Sequence, residues 1–497
     1  MLLLFNVILS LLSIGVIFLD LYCFAIPRFV SLLSIVALFA VIVLELIKEK
    51  HRWKKMLFTI INILVIVFVF FGTYCNPYRN SLTKRKINLD EGCKSAYNQT
   101  LTYREAKSDL DMAIYHLKHV HPMFIHGLSD DVKQLYKQAI LNLKANHNIT
   151  VNDLRKEIET IYSCLGDGHT SVRAWYNDTH TLKYMDKHYL NKDRIVAVNG
   201  LTIEEIFNTN RQYFSFETEE YGMLCVEECL QTLEGLDYLA FNVDNVITYT
   251  YVNINGEQFQ ETYYKNDFLT YNDYWAYNDP DNSRFNNANY SNEFVRYEIM
   301  PDKNLAVLTL DTCDYNDYYK KCLSDMFNEV KNKGIGNVCV DVRNNSGGDS
   351  RVINEFLSYI NIDSYRGPTI DTRFGIFMKH VSEEKAKRKN YRYEDLVFNG
   401  NVYILTSTYS FSAAMDFAMY ISDNHIGTVI GEASGNKASC YGDVLKFKLK
   451  NSDLLLDISF KKWYRIDKSN PDEFVEPDIK CKSEDALQTL IEHLNNQ

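Results

Sequence analysis

Residues 338–348, with the sequence VCVDVRNNSGG, decide the fold of this chain. The run Val338–Val342 is apolar apart from one carboxylate, which is typical of a strand buried on both faces of a sheet. It ends in the turn-forming stretch Arg343–Gly348, and a helical pattern follows from about Ser350 to Ile360. A strand, a loop and a helix in this order form the repeating unit of a parallel sheet covered by helices.

The same unit recurs on both sides of this stretch, and residues 301–497 are therefore predicted to form an α/β core. Each predicted strand is followed by a loop and then by a helix or a further strand. The predicted strands are Leu305–Leu310, Val402–Leu405 and Thr428–Ile430, and the predicted helices are Tyr318–Lys333 and Ser412–Ser422.

Three loops of this core carry groups that could take part in catalysis. Loops that follow parallel strands leave from the same edge of a sheet. We therefore expect the pair Gly347 and Gly348, the serine Ser412 and the lysine Lys437 to meet in one crevice. Each feature alone is typical of ordinary structure: a turn, a helix cap or a solvated lysine. Their joint arrangement indicates a reactive site.

A serine at the start of a helix can act as a nucleophile if a base lies beside it. The free N–H groups and the positive dipole end of the helix favour negative charge near Ser412. Gly347 and Gly348 carry no Cβ, so their backbone N–H groups can approach a reacting carbonyl closely. One of them, together with the N–H of Ala413, could form an oxyanion hole.

The first 76 residues predict a membrane anchor of three helices. Three apolar runs, Leu2–Phe24, Phe29–Ile47 and Met56–Tyr74, each have about the 20 residues that a spanning helix needs. Asp20 and Glu45 are the acidic residues within them, and both lie near the ends of their runs. No ion pathway is visible, which argues against a transporter or sensor that the remainder of the chain regulates.

The charges predict the orientation and exclude one class of partner. The basic hairpin Lys48–Lys55 should stay in the cytoplasm, which places the region after Tyr74 outside, although the basic residues at 79 and 84–86 oppose this. The chain has a net charge of −11 while residues 1–86 are basic, so residues 87–497 are strongly acidic. An acidic domain without a basic stripe repels nucleic acid.

Residues 77–100 are predicted to be a juxtamembrane linker, and 101–180 a helical N-terminal subdomain. The subdomain ends in Gly166-Asp-Gly-His169, a glycine-rich turn with a histidine at its tip. His116, His119 and His121 lie nearby in sequence. They lack a matching set of cysteines or carboxylates, so we expect a solvated helix edge and no metal site.

Residues 181–300 are predicted to be a small β-rich module with a polar insertion at 266–300. The strand Arg194–Val198 and the hairpin signal Asn255-Gly256 support the β-rich assignment. Cysteine adds little: Cys225 with Cys229, or Cys313 with Cys322, could form local disulfides, but no disulfide framework is recognisable.

Four motifs resemble those of the C-terminal processing (tail-specific) serine peptidases. They are Leu165-Gly-Asp-Gly-His-Thr170, Asp341-Val-Arg-Asn-Asn-Ser-Gly-Gly348, Ser410-Phe-Ser-Ala-Ala414 and Gly431-Glu432, and they occur in the family's order. The resemblance covers about 200 residues, chiefly 160–175 and 300–480. It implies a crotonase/ClpP-like α/β core with an inserted PDZ-type module, and residues 181–300 lie where that module would be, although only Asp193–Gly200 matches it well.

The resemblance implies Ser412 as nucleophile and Gly347-Gly348 as oxyanion loop, and it leaves two candidates for the base. One design pairs the serine with a lysine 25 positions later, which is Lys437; the tricorn-like design uses a histidine that matches His169. Lysine has a pKa of about 10.4 and needs strong desolvation to act as a base, whereas histidine, at about 6.5, does not. The polar neighbours of Lys437 therefore favour His169.

The sequence does not decide which acidic residue would orient a histidine base. Asp472 and Glu473 lie near the position of that acid in the tricorn-like enzymes, whereas Asp423 is expected to be structural. The sequence thus predicts a membrane-anchored, multi-pass serine peptidase that cleaves peptides or proteins outside the membrane, without a metal or organic cofactor. The alternative is a catalytically silent relative that binds a ligand or peptide at the membrane surface.

Overall fold

The computed structural model describes residues 2–22, 26–76, 81–82, 96–173, 179–191, 193–242, 246–278 and 294–496. Most of the predicted linker at 77–100 lies outside the described residues, and so do residues 279–293 of the predicted polar insertion.

The core contains a six-stranded sheet that is parallel except at one edge. The edge strand Val295–Met300 pairs antiparallel with Leu305–Leu310, and every later pair is parallel. In spatial order the strands are Val295–Met300, Leu305–Leu310, Asn337–Asp341, Asn401–Thr406, Thr428–Gly431 and Ile479–Lys480. The α/β class is therefore confirmed.

Helices cover both faces of this sheet. Alternate residues of the strand Leu305–Leu310 point to opposite faces, as in any strand. Ala306 and Leu308 pack among the helices of one face, and Leu305 and Val307 contact the helix on the other face. The first face is covered by Asp317–Lys333, Arg351–Leu357 and Ala413–Asp423, and the second by Ala486–Asn495.

A second, antiparallel sheet joins the helical subdomain to the core. Its strands are, in order, Phe377–Val381, Thr369–Phe374, Leu455–Tyr464 and Tyr441–Lys448, and Ser171–Arg173 pairs with Leu455–Tyr464. One apolar cluster unites this sheet with the helices Tyr103–Val120, Asp130–Ala145 and Val151–Ser163. The turn at 166–170 is therefore held between the subdomain and the core.

The described part of the module within 181–300 contains more helix than strand, so its description as β-rich is incomplete. Its four-stranded sheet has the order Leu201–Thr202, Arg194–Val198, Ile247–Val252 and Gln258–Tyr263. Its helices are Met185–Asn191, Ile203–Asn210, Glu219–Cys229, Leu233–Tyr238 and Tyr271–Asn278. The four cysteines suggested for local disulfides, Cys225, Cys229, Cys313 and Cys322, are free thiols.

Shorter elements complete the described part. Strand pairs form between Thr100–Leu101 and Ile149–Thr150, between Thr181–Leu182 and Phe268–Leu269, and between Ser364–Arg366 and Lys387–Lys389. A short helix spans Glu383–Ala386.

Three apolar helices precede the rest of the chain: Leu2–Tyr22, Arg28–Lys48 and Arg52–Phe70, the last continued by a π-helical turn at Phe71–Cys75. By length and composition, the segments Arg28–Lys48 and Arg52–Cys75 could cross a membrane, whereas the first helix contains a shorter apolar stretch, Leu4–Asp20. The membrane span predicted for Leu2–Phe24 therefore stays a prediction. Glu45 is buried among the helices, where it accepts hydrogen bonds from Asn6 and Asn62.

Candidate active site

Ser412 lies between the strand Asn401–Thr406 and the helix Ala413–Asp423, in a strained backbone conformation. Its φ of 55° and ψ of −120° are costly for any residue with a side chain. Two hydrogen bonds hold it there: its N–H donates to Asn436 Oδ1 at 2.7 Å, and its carbonyl accepts from the Asp416 N–H at 2.8 Å. Its hydroxyl does not cap the helix, so the ordinary role of a serine at this position does not apply.

The Gly347-Gly348 turn lies directly against Ser412. A Cβ built on Gly347 would lie 2.6 Å from Ser412 Cβ, and one on Gly348 would lie 2.3 Å from the Cys313 carbonyl oxygen. Both residues have a positive φ, 108° and 132°. Only glycine fits this approach without displacing its neighbours.

Two backbone N–H groups beside Ser412 remain available to a ligand. The N–H of Gly347 donates to Asn345 Oδ1 at 2.8 Å, so it is already occupied. Within the described ranges no hydrogen bond uses the N–H of Gly348 or of Ala413. The nitrogen of Ala413 lies 3.1 Å from the Cβ position of Gly347, so it faces the glycine turn. These two groups are the better candidates for an oxyanion hole.

His169 is brought to the same place from a distant part of the sequence. Its ring lies against the ring of Phe411, with centroids 4.6 Å apart and an interplanar angle of 37°. Phe411 immediately precedes Ser412. A Cβ built on Gly442, in the second sheet, would lie 3.8 Å from His169 Nε2. The histidine is therefore enclosed by the serine loop and the second sheet.

Two carboxylates accompany the histidine. Asp167 Oδ1 lies 3.7 Å from His169 Nδ1, which has no hydrogen-bond partner within the described part. Glu217, from the inserted module, accepts the Gly168 N–H through Oε1 at 3.3 Å and the Lys437 N–H through Oε2 at 3.0 Å. It thus links the histidine turn to the loop of Lys437.

The ligand atoms of Asp167, His169 and Glu217 all lie within 4.8 Å of one another, a spacing that could also suit a metal ion. However, Asp167 Oδ1 accepts a hydrogen bond from the backbone N–H of His169, and both carboxylate oxygens of Glu217 accept backbone N–H groups as well. Hydrogen bonds from the backbone thus already engage the carboxylates of this group.

The electrostatics of this group favour a protonatable histidine. Burial alone would lower the pKa of His169, but the negative charge of Asp167, with charge from Glu217 and Asp416, raises it above its usual value. Burial would raise the pKa of Asp167, yet the hydrogen bond from His121 and the nearby His169 ring hold it well below its usual range. Burial raises the pKa of Glu217 to about 7 and that of Asp416 to about 7.

His121 supports Asp167 from the buried side, which corrects the prediction of a solvated helix edge. Its Nδ1 accepts the Met123 N–H at 3.2 Å, so Nε2 carries the proton that is donated to Asp167 Oδ2 at 3.1 Å. His116 is also buried, against Phe447, and burial lowers its pKa to about 3. In the part of the chain that the structure describes, these histidines do not form a group of metal ligands.

The ammonium group of Lys437 is engaged in an ion pair. Its Nζ pairs with Glu473 Oε2 at 2.9 Å, and the two side chains are 38% and 68% exposed. A partly exposed ammonium paired with a carboxylate is not the desolvated amine that a lysine base requires. Glu473 is therefore committed to Lys437, and Asp472 is exposed and contributes its carbonyl to Arg465.

The acids beside the histidine thus differ from the acids that the sequence suggested. Asp167 lies within the Gly-Asp-Gly-His turn and could have been recognised from that motif. No sequence motif marks Glu217, because it reaches the histidine only through the tertiary position of the inserted module. Asp423 forms a buried ion pair with Arg465 at 2.9 Å, as a structural role requires.

Comparison with known proteins identifies the core. Residues 304–481 match the model of peptidase family S41. The match includes Gly347, Gly348, Ser412 and Lys437, and it supports a serine peptidase. It does not extend to His169 or Glu217, so the closer resemblance to the tricorn-like branch stays a prediction. No curated protein matches the chain.

Solved structures share the S41 fold over most of the chain. The structure of mature CPAF complexed with lactacystin has a TM-score of 0.56 at 11% identity, covering 80% of this chain and 97% of that chain. Mature CPAF alone gives 0.56 at 12%, covering 79% and 96%. The photosystem II D1 C-terminal processing protease gives 0.43 at 12%, covering 78% and 97%. At this identity the CPAF structures indicate a common fold and nothing further.

Proposed function

We propose that the chain is a membrane-anchored serine peptidase in which Ser412 is the nucleophile and His169 the general base. The observation that carries this proposal is the contact between the His169 ring and Phe411, the residue next to Ser412. It is supported by the strained backbone of Ser412 and by the unused N–H groups of Gly348 and Ala413. The match of residues 304–481 to peptidase family S41 agrees with it.

The proposed reaction begins with proton transfer from the Ser412 hydroxyl to His169. Nδ1 of His169 faces the carboxylate of Asp167, which leaves Nε2 for this transfer. The serine oxygen then attacks the peptide carbonyl, and the N–H groups of Gly348 and Ala413 stabilise the oxyanion, at about 3–4 kcal/mol per donor. The imidazolium returns its proton to the leaving amine. In the second half of the reaction His169 takes a proton from water, the water oxygen attacks the acyl-enzyme, and the proton passes to the departing Ser412 oxygen.

Asp167 and Glu217 are proposed to position and charge the base. Both carboxylates stabilise the imidazolium form that arises when the serine proton is taken up. This arrangement replaces the predicted role of Asp472 and Glu473. It also favours His169 over Lys437, whose ammonium group pairs with Glu473.

The substrate is proposed to be a peptide or protein, as the family match suggests. The module within 181–300 contacts the serine loop through Tyr221, whose ring stacks on Phe411 with centroids 4.4 Å apart. Thr218 Oγ1 also donates to the Gly435 carbonyl at 3.4 Å. We propose that the module stands where a PDZ-type domain would and that its seating supports the serine loop.

Membrane anchoring is proposed from the segments Arg28–Lys48 and Arg52–Cys75. The hairpin Lys48–Lys55, where the two segments meet, is basic and belongs on the cytoplasmic side. The end of the second segment then lies on the opposite side, whether or not the first helix also crosses. The peptidase would accordingly face outside.

A serine-reactive fluorophosphonate probe tests the peptidase against a silent binding protein. The purified full chain should be labelled, and Ser412→Ala should abolish the labelling. Ser422→Ala, on the same helix and half-buried, is the matched control and should be labelled like the unaltered chain. Absence of labelling in the unaltered chain, or equal labelling of Ser412→Ala, would reject the proposed nucleophile.

A further inference from the structure

The turn between the strands Thr369–Phe374 and Phe377–Val381 exposes three consecutive apolar side chains. Ile376, Phe377 and Met378 are 62%, 47% and 36% exposed. A contiguous apolar tip on a hairpin indicates a surface that is covered when the protein works. We name residues 375–378 the hairpin tip.

The hairpin tip lies against the end of the third apolar helix. The ring of Phe377 stacks on the ring of Phe71, with centroids 6.0 Å apart and an interplanar angle of 17°. The backbone is equally close, because a Cβ built on Gly375 would lie 1.8 Å from the Tyr74 carbonyl oxygen. The tip and the end of the helix therefore form one continuous apolar surface, since Phe71 is itself exposed.

The position of Phe71 along the segment sets the depth of the tip. About 20 residues cross the hydrocarbon layer, and counting from Met56 brings its far edge to about Cys75. Phe71 then lies about one helical turn, or about 6 Å, inside that edge. A ring that stacks on Phe71 must lie at the same level.

Aromatic and basic side chains also mark both ends of the membrane-spanning segment Arg52–Cys75, without reference to its length. Trp53 is exposed at the beginning of the segment, beside basic residues, as expected at a membrane surface. At the other end the guanidinium of Arg28 lies 5.8 Å from the ring of Tyr74. Tyr74 is also the residue that the backbone of Gly375 touches. Both markers place the tip at the boundary between acyl chains and headgroups.

We propose that the hairpin tip inserts into the lipid bilayer, with Ile376, Phe377 and Met378 entering the acyl-chain boundary. This proposal rests on the membrane anchor given above. Lipid is the occupant that fits, because the exposed surface of the tip continues the lipid-facing surface of the third helix through Phe71. Burying the three side chains in acyl chains is favourable, because it removes apolar surface from water.

The insertion would hold the active site at a fixed height above the membrane. Arg373 donates through Nε to the Gly375 carbonyl at 3.0 Å and through Nη1 to the His121 carbonyl. His121 in turn donates to Asp167, beside the base His169. A short chain of hydrogen bonds thus runs from the tip to the catalytic turn. Polypeptide segments close to the bilayer surface are the substrates that such a position serves.

Lipid quenching of a fluorophore tests the insertion. The full chain would be reconstituted in phosphatidylcholine nanodiscs with the Ile376→Cys variant carrying an NBD fluorophore, and the chain without the added cysteine would serve as the blank. Ile254→Cys is the matched control, because Ile254 is 69% exposed at the end of a strand in the inserted module. Nitroxide lipids labelled near the headgroup should quench NBD at 376 several-fold more than at 254.

The outcomes separate the two proposals. Release of the chain from membranes by alkaline carbonate would overturn the anchor itself. A chain that resists carbonate, but whose fluorophore at 376 is quenched no more than at 254, would overturn the insertion alone. Fluorophosphonate labelling of the Ile376→Cys protein verifies that the variant is folded.

Discussion

The ring of His169 packs on the ring of Phe411, the residue directly before Ser412, although 242 positions separate the two in sequence. The contact is made possible by the pairing of Ser171–Arg173 with the strand Leu455–Tyr464. That pairing draws the turn at 166–170 from the helical subdomain onto the edge of the core. A histidine from one subdomain is thereby packed against the residue that precedes a serine of another.

His169→Ala should abolish cleavage, whereas Lys437→Ala should leave most of it. Loss of a general base typically costs about 10²–10⁴-fold in rate. Lys437 is paired with the exposed carboxylate of Glu473, so its removal should change kcat by less than about threefold. The measurement is kcat for a quenched fluorogenic peptide. The opposite ranking, with activity rising toward alkaline pH, would establish the lysine design.

The decrease of kcat/KM at acid pH, the acid limb of the pH profile, should depend on the carboxylates beside His169. The base must be neutral to accept a proton, so kcat/KM should fall as pH drops through the raised pKa of His169. The pKa of Glu217 is itself raised to about 7, so its charge stabilises the imidazolium chiefly in the upper part of this limb, and Glu217→Gln removes that charge. The pKa of His169 should then decrease, and the limb should move to lower pH.

The matched control for this measurement is Glu220→Gln, at an exposed position three residues along the chain. Its profile should coincide with that of the unaltered protein. A limb that stays in place in Glu217→Gln would show that this carboxylate does not charge the base. A shift of the acid limb to higher pH in Glu217→Gln would contradict a favourable interaction between this carboxylate and the imidazolium.

The serine loop and the glycine turn could be anticipated from the sequence because parallel strands bring their following loops to one edge. Strand and helix periodicity located these loops, and the motifs selected Ser412 within them. The structure adds details that no pattern contains. Asn345 takes the N–H of Gly347, which leaves Gly348 as the available donor, and Asn436 fixes the N–H of Ser412.

Glu217 could not have been found from the sequence, because its role depends on how the inserted module docks. Nothing in its neighbourhood in the sequence distinguishes it from Glu219 and Glu220, which are exposed. The expectation for His121 failed for a similar reason: the second sheet covers the end of its helix and buries it. Tertiary packing decided both cases, and the local pattern did not.

Asp423→Ala should destabilise the fold by about 3–5 kcal/mol, because it leaves a buried arginine without its counter-charge. Arg465 donates to both oxygens of Asp423, and both side chains are almost completely buried. The comparison is thermal unfolding of Asp423→Ala against Asp302→Ala, an exposed aspartate whose loss should cost less than about 0.5 kcal/mol. Equal melting temperatures would contradict the structural role.

Gly347→Ala should inactivate the protein while leaving it folded. The added Cβ would lie 2.6 Å from Ser412 Cβ, so the serine or the glycine turn must move. A displacement of about 1 Å at a reacting atom can cost about 10²-fold in rate. We expect at least this loss in the rate of fluorophosphonate labelling.

Gly334→Ala separates this steric effect from backbone strain. Gly334 ends the helix Asp317–Lys333 with a φ of 66°, and an added Cβ there would meet no atom within 4 Å. Both variants place alanine at a positive φ, which costs about 1 kcal/mol or more of stability, but only Gly347→Ala pushes on Ser412. Labelling should therefore be slow in Gly347→Ala and normal in Gly334→Ala. Normal labelling of both variants would mean that the glycine turn does not confine Ser412, and the proposed oxyanion hole would have to lie elsewhere.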